Sequence, residues 1–466
     1  MINYEILEIN RLEDYDRLLA IINNPVYINS GIVNELKARI GLKCKQVIVE
    51  SLYRDFDFSS IYSSFYSKKH KFLPKECFRV HFFSNADLAP DGYGGFMVLR
   101  PSAIEDNRGR SHIKPELLVE TDKSFIMLAP SRSNILGVKH EVKAFPWMAQ
   151  ETDISRCAHS AAWSIIRYFS DKYAHYKQRS INDIVEMTPL YLNRKTPSEG
   201  LTLVQLSEIF AAAGFHPLIL RKGSKAESNE RFYSSIFAYI ESGIPIIAAL
   251  PKREHAISII GHGKINQQKV VNYNATSPTL SHYFIDSLIA VDDNFLPYRV
   301  VTQTASGSTT YGIEDIEYAL IPLYEKMFLP ADIVIKYVKD FLETKQIAVP
   351  DDVIIRPYIT SSRSLKYRTN LNATINDDLK EIILKTPMPQ FVWCVDISTI
   401  DEYKQHKNSA RLIIDVTAAT DDINPWLLVH DANTVFYYDI QEGWIQEDFD
   451  IAPYDMYKNN LEEVNL

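Results

Sequence analysis

Downstream of Cys157, apolar and small residues recur at Ala158, Ala161, Ala162, Ile165, Ile166 and Phe169. That is the spacing of one face of a 3.6-residue period, and it predicts a buried helix opening at or just before Cys157. Two short apolar runs, Gly243–Leu250 and His255–Gly263, are bounded by Gly, Pro and charged residues and predict two buried strands. A third, Leu288–Val291, predicts a strand whose end delivers Asp292 and Asp293.

The flanks mix both periods. Phe58, Ile61, Tyr62, Phe65 and Tyr66 share a helical face beside the basic run Lys68–Lys71. Aromatics next to lysines can stack bases, but a stripe at helical spacing reads first as core. Cys77–Phe83 alternates as a strand does, and Asp91–Gly95 predicts a turn before a partner strand at Phe96–Pro101. No Gly-Lys-Ser/Thr follows those glycines, so they are not a phosphate loop. Polar Pro130–Asn134 reads as a linker and Thr304–Thr310 as a loop. Pro330–Leu342 predicts a helix, with strands at Val353–Tyr358, Gln390–Asp396 and Arg411–Thr417. The expected class is α+β. Residues 1–140 would form an N-terminal accessory α/β domain, 141–322 the catalytic domain, and 323–466 a smaller, β-rich α/β accessory domain.

A thiol at a helix start faces unpaired backbone N–H groups, which favour the nucleophilic thiolate. Alone, Cys157 reads equally well as a structural cysteine. His255 at a strand entrance and a carboxylate after the next strand complete a set for acyl transfer. The imidazole takes the thiol proton, the carboxylate fixes its tautomer, and Gln150 can donate to an oxyanion. Asp292 or Asp293 could instead cap a turn with Asn294.

These motifs, taken in order over roughly residues 142–300, resemble the papain-like cysteine peptidases. The carrying residues are Gln150, Cys157-Ala158, Gly243-Ile-Pro-Ile-Ile247, His255-Ala-Ile-Ser-Ile-Ile-Gly261 and Val291-Asp-Asp-Asn294. Within that superfamily the chain is most similar to the branch of bacteriocin-leader (double-glycine) peptidases. The resemblance implies a papain-like domain with Cys157 as nucleophile, His255 as base and acid, and Gln150 as oxyanion donor. It makes an Asp after His255 the third member: Asp293 when aligned on papain's Asn, the preferred match, or Asp292 when aligned on the leader-peptidase Asp-Pro motif. The chain departs from papain in following its cysteine with Ala158 and His159.

Composition then narrows the setting. A formal net charge of -9 argues against nucleic acid as a partner of the whole chain. No run approaches the roughly twenty apolar residues of a membrane span. The opening Met1–Glu8 lacks the basic start and apolar run of a secretory signal, which predicts a cytoplasmic location. Four scattered cysteines, 44, 77, 157 and 394, fit neither a disulfide scaffold nor a Cys-rich zinc site. His255 and His262 would lie more than about 20 Å apart along one strand. His140-Glu141 lacks the second His of a zinc-protease helix, and no Gly-x-Ser-x-Gly elbow is present. No cofactor or metal is therefore expected. The expected activity is hydrolysis of a peptide or isopeptide bond in a protein or peptide substrate, with the flanks recruiting a regulatory protein partner. The rivals are a non-catalytic scaffold of the same fold and a transglutaminase-like acyltransferase. Arg363, Lys366 and Arg368 could hold a partner's acidic tail, though a solvated face is the simpler reading.

Overall fold

The computed structural model describes residues 3–22, 30–70, 72–101, 108–118, 123–151, 153–188, 198–273, 277–305, 310–458 and 461–465. Lys71 and residues 306–309 of the expected loop lie outside this set. The chain is mixed α and β, built around three large sheets. The first is antiparallel throughout, in the order Asn3–Glu8, Gln46–Tyr53, Cys77–Phe83, Tyr93–Leu99, Arg108–Ile113, Trp147–Met148. The central sheet runs His216–Arg221, Tyr318–Leu323, Ile246–Leu250, His255–Gly263, Ser287–Val291, Arg299–Thr302. The third carries Ile354–Ser361, Phe391–Ser398, Ala410–Asp415, Trp426–His430, Thr434–Asp439 and Gly443–Asp448 in sequence order.

The three sheets are not independent. Lys123–Ile126 pairs with the far end of His255–Gly263, and Glu462–Asn465 then pairs with Lys123–Ile126. One segment that precedes the sheet's other strands in sequence and one that follows them thus extend the central sheet. One continuous apolar core runs from Leu7 through Trp163, Ile259 and Trp393 to Val464. At the third sheet, Arg356 bonds Glu241 at 2.8 Å, tying the sheet to the helix Ala226–Glu241.

The central helix spans Cys157–Lys172, as its periodicity predicts. Its Trp, Ile, Tyr and Phe residues are only middling helix formers, costing roughly half a kcal/mol each relative to alanine. Burial decides the outcome: Trp163, Ile165, Tyr168 and Phe169 are fully buried, each burial contributing about 1.5–3 kcal/mol. The small residues let the helix lie close to the strand His255–Gly263, where Ser258 Oγ donates to the Ala161 carbonyl at 3.3 Å. Trp163 Nε1 donates to buried Asp57 at 2.9 Å, so the helix is also fixed to the N-terminal segment.

Two local readings change. Pro130–Asn134 is no linker but part of the strand Ala129–Ile135, hairpinned to Val138–Ala144 through Leu136 and Gly137, both at positive φ. The strand alternates buried and exposed, but two of its inward positions are Ser131 and Ser133, so the alternation carries little apolar signal. Residue 140 lies in the second strand of this hairpin. The Asp91–Gly95 turn closes at Gly92, and Tyr93 already begins the next strand. There Gly95 sits at φ +110, where a Cβ would fall 1.9 Å from the His112 carbonyl oxygen. The aromatic stripe is core, with Phe58, Ile61 and Tyr66 buried and Lys69 lying over the Phe65 ring at 4.5 Å. Of the C-terminal basic cluster, Arg363 and Arg368 are exposed while Lys366 donates to the Thr386 carbonyl. Among the described residues, no helix is long and apolar enough to cross a membrane.

Candidate active site

Cys157 is the first residue of the central helix, after an extended Arg156 at φ -106. It is partly exposed and opens onto a cleft of about 1070 Å³ that Gln150, His255, Asp292, Asn294 and Tyr311 also line. His255 begins its strand immediately after Glu254, a residue held in the left-handed region at φ 49. That conformation costs roughly 1 kcal/mol or more in a residue with a Cβ, and it turns the hairpin so that the histidine enters the sheet at its cleft end. The neighbouring antiparallel strand pairs Val291 with Ser258, which brings residues just after Val291 beside His255.

His255 Nε2 lies 3.1 Å from Asp292 Oδ1. The same oxygen accepts the Asn294 N–H at 2.9 Å, and Asp292 Oδ2 accepts the Tyr311 hydroxyl at 2.7 Å. Trp147 Nε1 donates to the Asp292 carbonyl at 2.7 Å. The Cys157 thiol interacts with the same imidazole and helps to raise its pKa, and with Nε2 engaged by Asp292 the ring's free position is Nδ1. Burial acts to lower the His255 pKa, but the Asp292 bond, the Cys157 contact and the charges of Asp292 and Asp293 outweigh it and push it up to about 10. Burial, the largest single influence, acts to raise the Asp292 carboxyl; the bond to His255 and its charge, with the Asn294 N–H and the Tyr311 hydroxyl, together outweigh it and hold the group below the ordinary carboxylate range.

Asp293 takes a different place from the one preferred on sequence. Its nearer oxygen is 3.9 Å from His255 Nε2, and neither carboxylate oxygen has a hydrogen-bond partner. Burial, then the charge of Asp292, pushes Asp293 up to about 7. Asp292 is therefore the residue that orients the imidazole, and the turn-capping role falls to the same side chain through the Asn294 N–H. His159 is buried, its Nδ1 accepting the Arg156 N–H at 3.3 Å, and burial lowers its pKa to about 4. It is a neutral neighbour of the thiol.

Gln150 lies in the cleft, its Nε2 3.5 Å from Asn294 Oδ1. Its backbone is fixed from the N-terminal sheet: Arg100 donates to the Ala149 and Gln150 carbonyls at 3.2 Å each and pairs with buried Glu151. The loop after Asp292 is clamped from the same side. Arg108 donates to the Asn294 carbonyl at 2.9 Å and pairs with Glu35, which accepts the Leu296 N–H at 2.8 Å. Sequence reasoning missed Tyr311, Trp147, Arg108 and Glu35 as parts of this assembly. Only a wide separation in sequence joins them, and no local motif marks them. Arg108→Ala is expected to lower turnover about tenfold or more, because small misplacements of a reacting group are costly, although Arg108 does not line the cleft. Steady-state kinetics together with a thermal melt would check this, the kinetic loss exceeding any change in folded fraction.

One donor atom each from His255, Asp292 and Asp293 lies within 4.8 Å of the others, the spacing of a possible cation site among the described residues. The Asp292 oxygens are already committed to His255, Asn294 and Tyr311, so the arrangement reads first as an imidazole held by carboxylate. Compared with known proteins, the chain matches no family model and no curated sequence.

Proposed function

We propose that this chain is a papain-like thiol hydrolase that cleaves a peptide or isopeptide bond. The observation carrying the proposal is the relay of Cys157, His255 and Asp292 at the mouth of an open cleft, with an imidazole whose protonated form is strongly favoured. The order of a glutamine, a cysteine on a helix start, a histidine on a strand entrance and an acid after the next strand supports the papain-like reading.

In the proposed reaction, Cys157 sulfur bonds to the scissile carbonyl carbon while its proton resides on His255. The Cys157 backbone N–H and Gln150 Nε2 stabilise the oxyanion. His255 then protonates the leaving amine as the C–N bond breaks, giving a thioester. Water, deprotonated by His255, attacks the thioester, and the acid product leaves as the thiol reforms. Asp292 keeps the ring oriented throughout and stabilises its charged form whenever His255 holds the proton. The substrate is a protein or peptide, and the flanks offer surfaces for a regulatory partner. A cytoplasmic location accords with four free cysteines, three of them buried.

The test is mass spectrometry after brief iodoacetamide treatment near pH 6. Burial pushes the thiol of Cys44 up to about 11, that of Cys394 up to about 12, and that of Cys77 well above its ordinary value. Label is expected at Cys157 alone and is expected to disappear in His255→Ala. Equal, slow labelling of all four cysteines would sink the proposal and favour a non-catalytic scaffold.

The N-terminal segment is expected to support activity, not to inhibit it. No described residue before Gln150 lines the cleft, whereas Arg100, Arg108 and Glu35 brace its walls. A chain starting at Val138 should be less active than the full chain; higher activity would reject this role.

A further inference from the structure

The third sheet ends on the strand Gly443–Asp448, and no described strand pairs with its outer edge. Beside it, between the helix Ala331–Glu343 and the turn at residues 420–425, lies a groove of about 760 Å³. Five aromatic side chains line it: Tyr337, Phe341, Trp426, Phe436 and Trp444. Phe341 and Trp426 pack with ring centroids 4.8 Å apart, and Tyr337 is fixed by its hydroxyl donating to the Thr420 carbonyl at 2.7 Å. At the rim Ile423 is 97% exposed and Trp444 43%. Clustered apolar exposure of this kind marks an interaction site, whereas scattered surface apolar residues do not.

The charge at the rim is of one sign. Asp340, Asp421 and Asp422 are exposed and line the groove, and no lining residue is Lys, Arg or His. Asp422 is partly committed, accepting the Asn424 N–H at 3.0 Å. Asp340 and Asp421 form no ion pair with a basic side chain among the described residues. Aromatic faces attract cations, most of all Trp, and the attraction strengthens when carboxylates stand nearby. An acidic or neutral segment would gain only the apolar part of this surface, and a hydrophilic basic one only the charge.

We propose that this groove binds a peptide segment in which Lys or Arg side chains alternate with aliphatic or aromatic ones. The apolar side chains fill the space over Phe341, Trp426 and Phe436, and the basic ones reach Asp340, Asp421 and Asp422 across the face of Trp444. The groove lies apart from Cys157, sharing no lining residue with its cleft. Its occupancy therefore stands or falls separately from the thiol chemistry.

Binding would be measured by calorimetry and tryptophan fluorescence on the full chain at about 150 mM salt, where long-range surface attraction is largely screened. The probe is a peptide of about ten residues alternating Lys and Leu; the controls replace Lys by Glu or Leu by Ser. The Lys-Leu peptide is expected to bind, and the two controls to bind at least about tenfold more weakly. Asp340→Lys with Asp421→Lys, and separately Trp444→Ser, are expected to cost the Lys-Leu peptide a similar factor. These positions are exposed, so unchanged thermal melts should accompany the loss. Equal binding of the Glu-Leu peptide would overturn the charge assignment, and equal binding of the Lys-Ser peptide the aromatic one. Lys-Leu binding that neither variant weakens would place the site elsewhere and overturn the proposal.

Discussion

Cys157→Ala is expected to abolish turnover, by at least about a thousandfold, while leaving the fold intact. The loss follows because no other group near His255 can form the acyl bond, and removing a nucleophile from a coupled set forfeits nearly all the covalent rate. The fold should survive because alanine is a better helix former than cysteine and the thiol is only partly buried. A thermal melt within about 1 kcal/mol of the parent is expected. The measurement pairs peptide-cleavage kinetics with circular dichroism. Retained cleavage in this variant would remove Cys157 from the mechanism, whatever its labelling behaviour.

The second large effect separates the two adjacent aspartates. Asp292→Asn should lower turnover by roughly 10²–10⁴, since an amide cannot stabilise the imidazolium and invites the wrong tautomer. It should also change stability with pH. The His255 pKa is raised from 6.5 to about 10 in the folded chain, so its contribution is fully present below 6.5 and lost as pH rises through about 10. Without the Asp292 charge that contribution shrinks, and the variant's deficit should be largest near neutral pH, where the parent's Asp292 is ionised and His255 protonated, and should fade in strong acid as the parent's Asp292 takes a proton.

Asp293→Asn should do the reverse. The folded-state pKa of this buried carboxyl is raised from 3.8 to about 7, so the folded chain holds its proton more tightly than the unfolded chain. Ionisation therefore destabilises the fold progressively between pH 4 and 7, and fully above that range. An isosteric amide removes the penalty, at most about 4 kcal/mol for a shift of this size, and gives no advantage below pH 4. Turnover should fall far less than in Asp292→Asn. Melting curves from pH 4 to 8 decide it. A stability gain independent of pH, or a turnover loss matching that of Asp292→Asn, would return Asp293 to the orienting role.

The contrast between these neighbours shows where sequence reasoning stops. Both follow the same predicted strand, and alignment on a distant pattern preferred Asp293. Their roles are set by which way each side chain leaves the strand end and by what waits there. Tyr311 and the Asn294 N–H meet Asp292, whereas among the described residues no other group hydrogen-bonds the Asp293 carboxylate oxygens, which come no nearer than 3.9 Å to His255 Nε2. Tyr311 is distant in sequence and belongs to no motif, so no local pattern could have chosen between them.

Elsewhere local pattern was sufficient. The central helix, the strand pair Ile246–Leu250 and His255–Gly263, and the strand Ser287–Val291 all lie where periodicity put them. Each buries an apolar face long enough to show its period. The strand Ala129–Ile135 escaped because its inward positions include serines, and the pairing of Lys123–Ile126 and Glu462–Asn465 with the central sheet escaped because backbone bonds between distant segments leave no residue signature.

By itself, then, the sequence determined the elements that carry Cys157 and His255 and that lead into the aspartate pair, because burial imposes a readable period on a helix or strand face. Only the tertiary structure decided that Asp292 holds the imidazole, that Arg108, Glu35 and Arg100 brace the cleft, and that an aromatic groove with an acidic rim stands beside the last sheet. Those outcomes depend on side chains brought together across scores to hundreds of residues, where geometry and the local dielectric, not composition, set which groups pair and which are left alone.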